Sequence, residues 1–439
     1  MIQKKATLFG AAATLGLLLA ACGSSGSSSS GTTSGGSATT GAATTAAGAA
    51  TTADGASVAP GTSSGGPATG EPIKVTVISQ LQATGFAFPE IQSASKILVD
   101  ELNQSGGIKG RPVEFTYCND KGNPNDAATC ARQAVSNGSV AVVAPFTLFA
   151  GSITPVLEQA GLAYVGNNIL SPEDAQSKVA FPVTGGTISS GIGVGEAFVD
   201  NGCKKAGAVG FTQAASDTYV NWVKKGMQSK GSDLTTTQHV GQGLPNYAPA
   251  VAALESAGVG CIFMSLPPAE AGKFVGAVAQ SGKKVLLGTG VTTLPQAVVS
   301  QLQGAADGAV LTGTSYNQND TQIPEIKSMV DNFTSKGMSK TDMAGSFLVA
   351  TYGADKMLFH AMSGIDGDIT KESVLKQMGT LDDPGTTVFG PFSTKQESGI
   401  KGFERIFNFN VLNYKVDNGK ITLVSPDFHD TSAVAKSSS

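Results

Sequence analysis

Apolar and polar residues change their period repeatedly along this chain, and the changes come in a regular order. An apolar run at 73–78 gives way to an amphipathic helical pattern over 91–102, then to a strand that alternates through Val113-Glu114-Phe115-Thr116-Tyr117. A helix to 135, a strand at 140–144, a helix over 152–160 and a strand at 163–165 continue the series. After Phe181-Pro182-Val183 it restarts, with helices over 189–201, 219–230 and 248–257 and a further one to 281, and strands at 206–211, 235–239, 261–266 and 284–287. Such βα alternation predicts parallel sheets covered by helices on both faces, and right-handed crossovers make each a doubly wound layer. The restart predicts two lobes of the same α/β kind. A strand at 310–315, helices over 324–336 and 345–362, and strands at 407–416 and 420–424 complete the pattern. Asp417-Asn418-Gly419 between the last two predicts a type I′ hairpin.

The corner between the first helix and the second strand reads Asn103-Gln104-Ser105-Gly106-Gly107-Ile108-Lys109-Gly110-Arg111-Pro112-Val113-Glu114. Paired glycines supply the left-handed conformations in which helices end. The wording of this corner resembles that of type I periplasmic binding proteins, in particular the branched-chain amino acid (Leu/Ile/Val) receptor-like family of ABC transporter substrate-binding lipoproteins. Phe389-Gly390-Pro391-Phe392 is similar to a second family segment, and the resemblance runs from 72 to about 425. It implies two ligand-binding lobes, 71–182 plus 317–380 and 183–316 plus 381–430, with a tail at 431–439 expected to be disordered. It also implies a multi-strand hinge that closes on a ligand.

The first 70 residues change where the chain is expected to work. Lys4 and Lys5 precede an apolar run over 6–21, too short for an ordinary membrane span and suited to a signal peptide. Leu19-Ala20-Ala21-Cys22-Gly23 looks like a bacterial lipobox, which predicts removal of 1–21 and a lipid on Cys22. Two acyl chains on one cysteine hold a folded domain at a membrane surface. The stretch over 23–70 is almost wholly Gly, Ser, Thr and Ala, a tether of about 48 residues with a reach of roughly 40 Å. The expected location is the outer face of the bacterial cell membrane.

Charge and cysteines narrow the class. The formal net charge of −4 becomes two units more negative once Lys4 and Lys5 leave, and no basic run exists, which disfavours nucleic acid. Cys118, Cys130, Cys203 and Cys261 form an even set in an exported chain, and the pairs Cys118–Cys130 and Cys203–Cys261 are expected, although spacing alone does not fix the connectivity. No Cys/His spacing suits a metal, and no cofactor is expected. The histidines are only His239, His360 and His429, with no nucleophile at a recognised spacing, so an enzyme is not expected. Gly191-Ile192-Gly193-Val194-Gly195 hints at a dinucleotide loop but falls in a helix start, and Gly61-Thr62-Ser63-Ser64-Gly65 has no flanking strand or helix.

In open α/β sheets ligands lie beyond the carboxyl ends of strands, so those ends hold the candidates. Phe86 and Phe88 follow the first strand, as walls of a pocket or as rings tucked under their own loop. Thr147, Leu148 and Phe149 stand where the resemblance places a carboxylate-holding turn; Thr147 keeps the hydroxyl, or caps a helix, while Leu148 and Phe149 make the pocket more apolar. Asn167 and Asn168 stand where the family carries a hydroxyl motif, as ligand partners or as turn caps. Tyr219, Ser265, Thr289, Gly290 and Tyr316 are the candidates beyond the first lobe, with Tyr219 equally suited to a core. No acidic side chain can be placed to hold a ligand ammonium; Asp217 is nearest and suits a helix cap. The expected ligand is a small molecule, an amino acid or an apolar or aromatic carboxylate or amide. The expected partners are permease subunits of an ABC importer, with the protein a monomer. A sensor presenting its closed lobes to a membrane signalling protein is the alternative.

Overall fold

The computed structural model describes residues 66–83 and 87–437. Cys22, the leader and most of the tether lie outside the described residues, as do Phe86 and the tip of its loop. The first sheet is built from β1 (Ile73–Ser79), β2 (Val113–Asn119), β3 (Ala141–Val143), β4 (Ala163–Val165) and β5 (Ala180–Phe181) in the order β2-β1-β3-β4-β5, all parallel. Between these strands run α1 (Pro89–Gln104), α2 (Pro124–Ser136), α3 (Ala150–Ala160) and α4 (Pro172–Gln176). The α1–β2 corner turns as its glycines predict: Gly106 and Gly107 have φ of 102° and 65°, and a methyl on Gly107 would fall on the Arg111 carbonyl. At α2 the Asn123 side chain accepts from Asn125 N and Asp126 N while Pro124 takes the first turn, where its missing N–H costs nothing.

The second lobe holds α5 (Gly186–Asp200), β6 (Lys205–Phe211), α6 (Ala214–Ser229), β7 (Asp233–Val240), α7 (Ala248–Ser256), β8 (Cys261–Ser265), α8 (Pro268–Ser281), β9 (Leu286–Gly290), α9 (Gln296–Val299) and β10 (Val310–Gly313). The chain then returns to the first lobe with α10 (Pro324–Ser335), α11 (Lys340–Met343), α12 (Leu348–Ser363) and α13 (Lys371–Met378). A last passage adds β11 (Asn410–Asp417), β12 (Lys420–Leu423), β13 (His429–Asp430) and α14 (Ser432–Ser437) to the second lobe. The second sheet runs β12-β11-β10-β9-β8-β6-β7, with β11 antiparallel to both of its neighbours and the other strands running one way. Asn418 and Gly419 have φ of 50° and 71°, both positive as a type I′ turn requires.

Three differences from the sequence reading have physical causes. α6 begins at Ala214 rather than near 219, because the polar Ala-Ala-Ser-Asp-Thr stretch carries the exposed face of a first turn. The stretch 381–394 packs on the first lobe rather than the second: Val388 accepts from Tyr316 N, and Glu325 on α10 accepts from Thr386 and Thr387. The tail is ordered through α14, whose Ala435 is buried. Cys118 is joined to Cys130 and Cys203 to Cys261, with Cα separations of 5.6 and 6.1 Å.

Candidate ligand-binding cleft

Three chain crossings, near 182–185, 314–319 and 395–409, connect the lobes and are tied to one another. Asn408 Nδ2 donates to Val183 O at 2.9 Å and to Phe389 O at 3.0 Å, and Tyr316 N donates to Val388 O at 3.0 Å. Tyr316 Oη donates to Pro426 O at 2.6 Å, and its ring meets Phe428 edge-on. Tyr414 Oη donates to Asp320 at 2.8 Å. Burial pushes the Asp320 carboxyl up against the opposing pull of the Asn317 N–H and the Tyr414 hydroxyl.

A cleft of about 780 Å³ opens beside these crossings. Its walls come from residues just past the carboxyl ends of four strands: Asn168 after β4, Thr184 after β5, Val291 and Thr292 after β9, and Thr314 to Tyr316 after β10. The remaining wall is the approach to α12, with Met343, Ser346 and Phe347, and the side of α10 and α11. Phe347 is held from behind. Its ring packs against Phe88 and Phe146 at 4.7 and 4.8 Å, those two lie 4.4 Å apart, and Glu90 Oε1 accepts from Phe347 N at 3.2 Å. Burial raises the Glu90 carboxyl above its ordinary range, against the backbone N–H groups that favour its charged form. Glu90 thus caps α12 from α1, a long-range substitute for the local cap that Phe347 does not provide.

The candidate residues divide sharply. Asn168 and Tyr316 line the cleft. Asn168 Nδ2 donates to Pro145 O at 3.1 Å and its Oδ1 accepts from Thr184 Oγ1 at 3.3 Å, so its amide spans two strand ends. Phe88 stands one ring behind the wall. Thr147 is buried and donates to Asp120 Oδ2 at 2.7 Å while accepting from Phe149 N, and Phe149 packs towards the first-lobe core. Asn167 is buried and donates to the backbone and side chain of Asp174, whose carboxyl is pushed up to about 6 by burial. Thr289 is buried within its sheet and donates to Met264 O at 2.6 Å. Tyr219 lies in the second turn of α6 with its ring edge-on to Phe263, and its hydroxyl shares a 2.5 Å hydrogen bond with Ser190, pushed up to about 12 by burial. Gly290 leaves room for that hydroxyl, since a methyl there would lie 2.9 Å from it. Ser265 is half-buried at the end of β8, and Leu148 is 48% exposed on the first lobe; neither lines the cleft. Asp217 lies within 3.0 Å of His239 on the flank of the second lobe.

Thr184, Thr292 and Thr314 lie one to three residues beyond strand ends whose limits the sequence does not fix, and Ser346, Phe347 and Lys340 lie at helices away from any strand end, so none of the six is among the sequence candidates. The signal was available in part: Gly345-Ser346-Phe347 opens a long apolar helix that crosses back to the first lobe. No group of three or more His, Cys, Asp or Glu side chains suited to a metal occurs among the described residues.

Two doubly wound lobes, three crossings and a cleft along them define a two-lobed solute-binding protein. Residues 72–402 match the family model described as periplasmic binding protein, and the chain belongs to that family. Membership places it among extracytoplasmic solute-binding proteins and not among enzymes. The Leu/Ile/Val/Thr-binding protein of Salmonella typhimurium is 23% identical over 346 residues, covering 77% of this chain and 91% of the relative. The Leu/Ile/Val-binding protein of Escherichia coli K12 is 23% identical over 77% of this chain and 90% of its own length. Among solved structures, a fatty acid ABC transporter substrate-binding protein from Thermomonospora curvata has a TM-score of 0.70 at 17% identity, covering 85% of this chain and 96% of that one. A solute-binding protein from R. palustris in complex with 4-hydroxybenzoate has a TM-score of 0.67 at 18% identity, over 82% and 97%. These likenesses establish a shared fold.

Proposed function

We propose that this protein is held by a lipid on Cys22 at the outer face of the cell membrane. There it captures a small molecule, an amino acid or an apolar or aromatic carboxylate or amide, by closing its lobes, and delivers it to the permease of an ABC importer. The observation that carries this reading is the cleft of about 780 Å³ beside three interlobe crossings. That volume falls in the range of about 300–1,000 Å³ typical of small-molecule sites. Relatives named for leucine, isoleucine and valine and neighbours named for fatty acid and 4-hydroxybenzoate support the same range of ligands. The Ala20-Ala21-Cys22-Gly23 sequence supports the anchor, and a tether of about 48 residues gives the lobes roughly 40 Å of reach to a membrane partner.

The test is a thermal-shift screen of the oxidised chain against amino acids, aromatic and short-chain carboxylates, and amides, with X-ray scattering on each hit. A ligand at a hundred times its Kd stabilises by about 2.7 kcal/mol and is expected to contract the molecule. If no solute raises the midpoint, capture of a small molecule is wrong. In the same cells a Cys22→Ser variant is expected in the soluble fraction, and its retention at the membrane would remove the lipid anchor.

A further inference from the structure

Resting on the solute-capture reading, we infer that the cleft takes an amine-free organic acid with an apolar body, and that Lys340 is the side chain that meets its carboxylate. The cleft is asymmetric in charge. Lys340, the first residue of α11, is the single charged side chain among the described residues lining it, and none of those residues is an aspartate or glutamate. Lys340 is exposed at the rim and makes no ion pair among the described residues.

The carboxylates nearest the walls are already committed. Glu90 caps α12 through Phe347 N, Asp320 accepts from Asn317 N and Tyr414 Oη, and Asp342 accepts from Ser93 Oγ. An ammonium drawn into the closing cleft would therefore be stripped of water with no carboxylate among the described lining residues to pair with and with Lys340 on the same wall, which is costly. A carboxylate has the opposite balance, since a charge-assisted hydrogen bond from a lysine strengthens as the lobes exclude water. The rest of the ligand meets Val291, Met343 and Phe347, with the Ser346 and Thr292 hydroxyls beside them, a wall suited to an alkyl chain or an aromatic ring. Backing by Phe88 and Phe146 fixes the Phe347 ring before ligand arrives, so little is lost in ordering it.

Titration calorimetry of the full chain with benzoate, octanoate, benzamide and L-leucine tests this. At least one of the two acids is expected to bind, with benzamide and L-leucine at least tenfold weaker. Lys340→Met is expected to weaken the acid at least tenfold with an unchanged melting temperature, and Lys340→Arg to stay within a few-fold of the original protein. Added salt should weaken the acid in the original protein and much less in Lys340→Met. Acid binding untouched by Lys340→Met, preferred binding of L-leucine or benzamide, or binding of neither acid each overturns the inference. L-leucine that binds and contracts the molecule in scattering leaves solute capture standing, so the two readings fail separately.

Discussion

Asp355 on α12 is wholly buried, accepts from Ser95 Oγ at 2.6 Å through one oxygen, and has no partner for the other among the described residues. Burial pushes its carboxyl up to about 7. In the unfolded chain an aspartate titrates near about 3.9. The folded protein therefore holds an extra proton between those values, and stability falls as pH rises through the window, by on the order of 4 kcal/mol once the group is ionised in both states. Asp355→Asn keeps an acceptor for Ser95 but buries an amide NH2 without a partner, which offsets about 1–3 kcal/mol of the gain. Melting curves are expected to show the original protein losing stability from pH 5 to 8, and the variant changing much less and being the more stable of the two at pH 8 by about 1–3 kcal/mol. Equal pH slopes would show that the carboxylate is neutralised some other way. The same commitment of polar groups to the fold explains why single site residues were hard to read. Thr147, Asn167 and Thr289 have suitable chemistry at suitable strand ends, yet each spends it inside the fold: Thr147 on Asp120 and Thr289 on Met264, both distant in sequence and brought close by the assembled sheet, and Asn167 on Asp174, seven residues on in α4.

At the scale of elements the sequence was far more legible, because a change of hydrophobic period survives any detail of packing. The βα alternation, both lobes and the Asn418-Gly419 hairpin all follow from local pattern. What local pattern does not carry is which helix lies on which. Gly191, Gly193 and Gly195, which hint at a phosphate loop, lie inside α5 and serve contact. A methyl on Gly191 would press on Trp222, one on Gly193 on Thr312, and one on Gly195 on the Val223 carbonyl of α6. Gly226 on α6 faces the Ile192 carbonyl in return, so the two helices meet backbone to backbone. Gly195→Ala is accordingly expected to destabilise by about 1–3 kcal/mol through overpacking. Gly276→Ala makes the comparison, because a methyl at that position in α8 meets nothing within 4 Å. There the helix propensity of alanine is expected to add up to about 1 kcal/mol. Denaturant unfolding of both variants checks the opposite signs; if Gly195→Ala also stabilised, α5 and α6 would have to be free to separate.

For the whole molecule the decisive feature is the third crossing, which does more than connect. Around 395–407 it grips both lobes at once. On the first lobe, Arg405 N donates to Ala175 O, Gln176 Nε2 donates to Gly402 O, and the Arg405 guanidinium lies over both the Phe181 and Phe407 rings, 4.7 and 4.6 Å from their centres. On the second, Phe403 meets Trp222 of α6 edge-on, and Ile400 and Ile406 share an apolar cluster with Ile188 and Ile192 of α5. Each cation–π contact in such a partly desolvated stack is worth about 0.5–2 kcal/mol, and an aromatic pair about 0.5–1.5 kcal/mol beyond its area. Two lobes with separate sheets would unfold separately if only the thin crossings joined them; this shared strap supplies energy that exists only while both are folded, and so makes their unfolding one event. Replacing Arg405 and Phe403 together by alanine removes the cation–π contacts on one side and the aromatic pair on the other, weakening the grip on each while leaving the backbone hydrogen bonds, Ile400 and Ile406, both sheets and the Asn408 tie in place. Calorimetry is expected to show one transition in the original protein and two in the double variant, the lower one shifted down by several degrees. A single unshifted transition in the variant would mean that the lobes are coupled through the cleft walls instead, and that the strap is free to move when the cleft opens.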